Sequence, residues 1–128
     1  VIPLDGNASF DAVSRFAHEV GTVLVGRDPE HLTQEFSKAE RGGRILIDTG
    51  RNGYSATFAA AYAVRAKPGA PVSAPCTWEE VERGKTGPQT FTLRMMGERI
   101  SSVGDLWSDM RKKRRSLRLP TEQLQRLM

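Results

Sequence analysis

Residues 44–65, RILIDTGRNGYSATFAAAYAVR, constrain the chain more than any other stretch, because an apolar β-branched run ends there on one carboxylate and a turn signal. Ile45, Leu46 and Ile47 form a compact run suited to a buried strand. Asp48 stands where that strand would end, and Asn52-Gly53 follows, a strong hairpin signal because both residues tolerate positive φ. Ser55 to Arg65 then reads as the returning partner strand, closed by Lys67-Pro68-Gly69. Its Ala59-Ala60-Ala61 centre would also suit a helix, but the preceding turn favours a strand.

Upstream, Ser9 is an N-cap candidate, and Phe10, Val13, Ala17, Val20 and Leu24 recur at helical spacing. Arg27-Asp28-Pro29 interrupts that helix. A second helix is expected from Pro29 or Glu30 to Ala39, with Leu32 and Phe36 on one face, ended by Gly42-Gly43. Downstream, Pro68, Pro71 and Pro75 predict an extended connection. Thr77 before Trp78, Glu79 and Glu80 predicts a short capped helix with acidic residues in its first turn. Phe91 to Leu93 reads as a short strand or docking segment, and Met95–Val103 and Asp105–Leu117 as helices parted by Gly104. Pro120 should end the last helix, with TEQLQRLM adding a final turn. The expected class is therefore mixed α/β, with an antiparallel hairpin at about 44–65 and flanking helices that look like half of a larger sheet.

The 128 residues suit about one domain, and 38% hydrophobic with 27% charged residues is ordinary for a globular chain. No apolar stretch approaches the roughly 20 residues that span a bilayer, and no secretory signal is visible. Cys76 alone supports no disulfide framework, which fits a reducing cytoplasm. Val1 opens the chain inside VIPL, itself strand-like, so the expectation is a segment cut from something longer.

The net charge of +4 is concentrated in RKKRRSLR, residues 111–118, and without its six cations the chain would carry −2. Arg111, Lys112, Lys113, Arg114, Arg115 and Arg118 are read first as a solvated helix face or mobile extension, and second as a surface for nucleic-acid phosphates.

Asp48 is a candidate metal-binding carboxylate, although Asp-Thr-Gly is also good turn chemistry, and local sequence alone favours the turn. Arg51 and Arg65 flank the expected hairpin, and guanidinium forks suit phosphate oxygens. His18 and His31 have no partners at ligand spacing, so zinc is not expected. There is no phosphate loop and no nucleophile elbow. Cys76 reads as structural, and Trp78 and Trp107 as packed against the sheet rather than free to stack on bases.

VIPL, F-x-x-V-x-x-F-A, RDPEHLTQEFSKAERGGRILID, RNG, YAVRAKPGAPVSAPCTWEEV, FTLR and GDLWSDM occur in that order. The combined string resembles the primase-polymerase domain of bacterial ligase D enzymes, members of the archaeo-eukaryotic primase superfamily that act in nonhomologous end joining. The resemblance covers roughly residues 1–110, as the C-terminal part of that domain, and leaves 111–128 as a basic helical tail. It implies Asp48 as the third of three aspartates that bind two Mg²⁺ or Mn²⁺ ions, with Arg51 and Arg65 contacting the incoming nucleoside triphosphate and Asn52 beside them. It also implies a nucleotidyltransferase that extends DNA ends, partnered by ligase and end-binding repair proteins and associated with the nucleoid, not a membrane.

Thr49 departs from the family's aromatic residue, and Ala61-Tyr62-Ala63 from its Pro-Tyr-Ser. The family's upstream Asp-x-Asp and its serine, lysine and histidine have no counterpart here. The expectations are accordingly an inactive isolated piece, with a non-catalytic module that binds nucleic acid or a repair protein as the alternative, or one half of a split enzyme.

Overall fold

A computed structural model describes all residues 1–128, and the chain divides into two compact units, Val1–Thr57 with Arg114–Met128, and Phe58–Lys113. The mixed α/β class holds, but the strand pairings are not the expected ones.

In the first unit, α1 runs Phe10–Arg27, and the Ser9 hydroxyl accepts the Ala12 N–H at 3.2 Å as its N-cap. It stops because Asp28 precedes proline, which disfavours helical backbone, and Asp28 adopts φ −144°. The helix expected over Pro29–Ala39 is absent. In its place β1, Leu32–Thr33, pairs in parallel with β2, Ile45–Leu46, in the register Leu32 to Ile45 and Thr33 to Leu46. Thr33 is buried, and Gln34 turns back onto α1, donating to the His18 carbonyl and accepting from the Thr22 hydroxyl, both at 3.1 Å. Gly21 makes room for this layer, since a Cβ there would run into the pinned Gln34 amide. The Leu32/Phe36 spacing that suggested a helix has no packing behind it, because Phe36 is exposed.

The second half of this unit comes from the far end of the chain. Arg115 donates its N–H to the Pro3 carbonyl and accepts from the Asp5 N–H, forming a parallel bridge with Leu4. Pro120 does not end a helix but sits in the first turn of α4, Arg118–Gln125, where its missing N–H would have had no helical partner. Leu124 is the buried residue of α4.

The second unit holds the true antiparallel turn. Ala70 donates to the Lys67 carbonyl at 2.9 Å across Pro68-Gly69, with Gly69 at φ +81°, the arrangement of a type II turn. Val64 therefore bridges Val72 rather than the 45–47 run, and Pro71 bridges Thr92 on the other side. The hairpin expected at 44–65 is thus displaced onto Lys67–Ala70. Residues 53–60 form no strand, and Ser55 has φ +57°.

Helix α2, Trp78–Glu82, carries the predicted cap as a full capping box: the Thr77 hydroxyl accepts the Glu80 N–H while Glu80 accepts the Thr77 N–H. Helix α3, Met96–Val103, ends on Gly104 at φ +72°. Arg99 of α3 forks onto Glu80 at 2.7 and 2.9 Å, donates to the Pro75 carbonyl at 2.7 Å, and lies 3.9 Å above the Phe91 ring. The expected helix over Asp105–Leu117 is replaced by turns and a short 3₁₀ segment, Met110–Lys113, and the Arg115 N–H that such a helix would use is taken by the Pro3 carbonyl.

The core is thin. Val72, Met96 and Leu124 are the buried apolar residues, and no large side chain is fully buried. Two separate folded domains of these sizes would together expose roughly 8,100 Å², whereas the chain exposes 9,988 Å². The difference is visible in Phe36, Ile45, Phe58 and Trp78, all solvent-facing. Trp78 is 82% exposed, against the expectation of burial, and Trp107 is partly covered.

Candidate functional site

Asp48 follows the parallel pair directly: the Ile47 N–H donates to the Thr33 carbonyl at 2.8 Å, and the chain leaves the pair one residue later. Asp48 is exposed, and its Oδ1 accepts the Gly50 N–H at 3.0 Å, an Asx turn. The structure shows the turn reading of this carboxylate. One oxygen shapes the turn, and Oδ2 remains without a protein partner.

That turn sets up the rest. Gly50–Asn52 forms a 3₁₀ turn in which Asn52 donates its side-chain amide to the Thr49 carbonyl at 2.8 Å, so this amide is committed to holding the loop. Arg51 points out of it, exposed and without an ion pair. Beside the turn lies an open, largely apolar groove of about 480 Å³, lined by Val13, Phe16 and Val20 of α1 and by Ile47, with Thr49 and Asn52 among its polar groups.

No group of three or more carboxylate, histidine or cysteine side chains in the chain could hold a metal ion. Asp48 by itself does not fit a two-metal centre, which needs several oxygen ligands. His31 Nδ1 is 2.8 Å from Asp28, and His18 Nδ1 is 3.2 Å from the Gln34 amide, so each histidine serves a local contact. Cys76 is exposed.

Arg65 belongs to the second unit. Its N–H donates to the Pro71 carbonyl at 2.8 Å, while its guanidinium is exposed and makes no ion pair. The six basic-run cations are all exposed. Lys112 pairs with Asp109 at 3.1 Å and Arg118 with Glu122 at 3.6 Å, and Arg111, Lys113, Arg114 and Arg115 face no carboxylate within bridging distance.

The sequence model of the LigD primase-polymerase domain matches residues 1–107. The chain belongs to this family. Among curated relatives it is 32% identical to the multifunctional non-homologous end joining protein LigD of Pseudomonas aeruginosa, over 85% of this chain and 13% of that protein. The protein of the same name from Mycolicibacterium smegmatis is 29% identical over 82% of this chain and 14% of its own length. Among solved structures, the polymerase domain of Mycobacterium tuberculosis Ligase D, in complex with DNA, superposes with a TM-score of 0.78 at 26% identity, covering 88% of this chain and 39% of that one. The chain thus spans about an eighth of the length of these curated relatives and well under half of the solved domain. No helix is long and apolar enough to cross a membrane.

Two pairs escaped the sequence reading. The Glu80–Arg99 fork draws the Glu80 carboxyl down to about 2, first through the Arg99 hydrogen bonds and then through the Thr77 N–H. The Tyr62 hydroxyl donates to Asp105 Oδ1 at 2.7 Å across 43 residues of sequence. Half of the first pair was legible as the capping-box spacing Thr77 to Glu80, but nothing local pointed to Arg99. Nothing in the order of residues linked Tyr62 to Asp105.

Proposed function

We propose that this chain is part of a primase-polymerase domain that adds nucleotides to DNA ends in nonhomologous end joining. In this reading Asp48 supplies one carboxylate to a Mg²⁺ or Mn²⁺ site whose other ligands come from outside these 128 residues. Arg51 and Arg65 take nucleoside-triphosphate oxygens. The observation that carries the reading is the Asp48 turn: an exposed carboxylate with one oxygen unclaimed, three residues before an unpaired arginine, in a chain of this family.

The bound metals would supply charge neutralisation at the phosphates and acidify the attacking hydroxyl. What these residues do themselves is simpler. Asp48 Oδ1 and the Asn52 amide hold the loop, Asp48 Oδ2 faces solvent as a ligand, and two guanidinium groups free of carboxylates offset phosphate charge without first breaking an ion pair.

A lone carboxylate predicts weak metal binding and no catalysis. Purified chain should show no nucleotide addition to a DNA end with Mg²⁺ or Mn²⁺, while Mn²⁺ should broaden NMR signals around residues 48–52 at millimolar levels and lose that effect in Asp48→Asn. Nucleotide addition by the 128-residue chain that Asp48→Ala abolishes would refute the expected inactivity of this piece, and Mn²⁺ broadening that Asp48→Asn leaves unchanged would overturn the ligand role of Asp48.

The four unpaired cations of the basic run favour one alternative. That is a non-catalytic module binding nucleic acid or a repair protein through residues 111–118.

A further inference from the structure

Arg65 has no side-chain partner, so where its guanidinium points depends on how firmly its backbone is held. Residues 62–65 lie against 71–73 through three bonds: Tyr62 N–H to the Ser73 carbonyl at 3.0 Å, Ser73 N–H to the Ala63 carbonyl at 2.9 Å, and Arg65 N–H to the Pro71 carbonyl at 2.8 Å. At the head of this short ladder Tyr62 has φ +63°. A bulky side chain in the left-handed region costs about 1–2 kcal/mol and persists only where its surroundings hold it.

The holding contact is visible. The Tyr62 hydroxyl donates to Asp105 Oδ1 at 2.7 Å, and the same oxygen accepts the Trp107 N–H at 2.9 Å, which orients the carboxylate. Asp105 follows Gly104, the φ +72° residue that terminates α3. The strained residue is thereby tied to the end of a helix. The tyrosine's burial and the neighbouring carboxylate both raise the phenol, while its hydroxyl and the Trp107 N–H lower Asp105, so donor and acceptor keep their roles at neutral pH.

We propose that Tyr62 and Asp105 are positioning residues that lock the 62–65 segment and so aim Arg65 at a triphosphate. The inference rests on the reading above that Arg65 takes phosphate oxygens.

The test is an NMR titration of the full chain with inorganic tripolyphosphate. Tyr62→Phe, which keeps the ring and removes only the donor, should weaken binding about tenfold, the low end of what loss of one hydrogen bond to a charged group implies. Asp105→Ala should do the same, and Asp105→Asn should stay within about twofold of the parent, because its amide oxygen can accept both bonds. Arg65 amide exchange should quicken in Tyr62→Phe and Asp105→Ala but not in Asp105→Asn. In an Arg65→Ala background, Tyr62→Phe should cost nothing further, the non-additivity expected of a residue acting through another. If Arg65→Ala weakens binding but Tyr62→Phe does not, or if the two losses add, the positioning role is wrong while the phosphate role of Arg65 survives. If Arg65→Ala leaves affinity unchanged, the phosphate role fails and the positioning role with it.

Discussion

Replacing Glu80 with glutamine isolates the charge in the contact that organises the second unit. Glutamine at this position still closes the capping box with Thr77, so the helix cap is kept and the ion pair is lost. Arg99 first, and the Thr77 N–H second, hold the carboxyl at about 2 against an ordinary 4.5, a difference equivalent to about 3 kcal/mol, of which glutamine keeps the Thr77 part. The Glu80 side chain keeps 29% exposure and Arg99 10%, so screening brings the expected contribution to about 2 kcal/mol. Because the folded-state value is depressed, this stability is complete above about pH 4.5 and is lost as pH falls toward 2. Both tryptophans, Trp78 and Trp107, lie in this unit, so urea unfolding followed by tryptophan fluorescence reads it directly. The gap between parent and Glu80→Gln should be about 2 kcal/mol at pH 7 and under about 1 kcal/mol at pH 3. Glu80→Ala, which also removes the cap acceptor, should cost about 1 kcal/mol more. A gap that is the same at both pH values, or below about 0.5 kcal/mol at pH 7, would refute the assignment of this stability to the ion pair.

The first unit can be probed through its helix cap: Ser9→Ala should cost about 1 kcal/mol and Ser9→Asp almost nothing, read as the far-UV CD melting midpoint. An unchanged midpoint in Ser9→Ala would mean that α1 is held by packing alone. For the basic run, replacing Arg111, Lys112, Lys113, Arg114, Arg115 and Arg118 with glutamine should weaken duplex DNA binding. The slope of log affinity against log salt should fall by about 4, mainly from the four cations without a carboxylate partner. Unchanged DNA affinity would remove this segment from any nucleic-acid surface.

Much of the local structure was legible because it is set by neighbours in the chain. The Ser9 cap, the stripe of α1, the Thr77-x-x-Glu80 box and the Gly104 stop all lie within a few residues of what they control. Errors arose where two local signals competed. Asn52-Gly53 and Pro68-Gly69 both advertise a turn, and the first lost because Asp48 and Asn52 spend their side chains tightening the loop into a 3₁₀ turn. Leu32 and Phe36 fit a helix by spacing, yet β2 takes the backbone of Leu32–Thr33 and α1 takes the Gln34 side chain. Around the candidate site, the order of residues showed Asp48 and Arg51 as neighbours in one turn. It was silent on the commitment of Asn52 to the Thr49 carbonyl.

By itself, then, the sequence determined the family, the mixed α/β class, the capped helices and where the charged groups stand along the chain, all properties of residue identity and short spacing. Tertiary structure alone decided which backbone edges pair, because hydrogen-bond donors and acceptors are nearly identical at every residue and only packing selects among them. It also decided that Arg115 returns to Leu4, that Arg99 reaches Glu80 and that Tyr62 reaches Asp105. Each of these contacts joins residues far apart in the chain, where the entropy of closing the loop must be offset by interactions that no local pattern reveals.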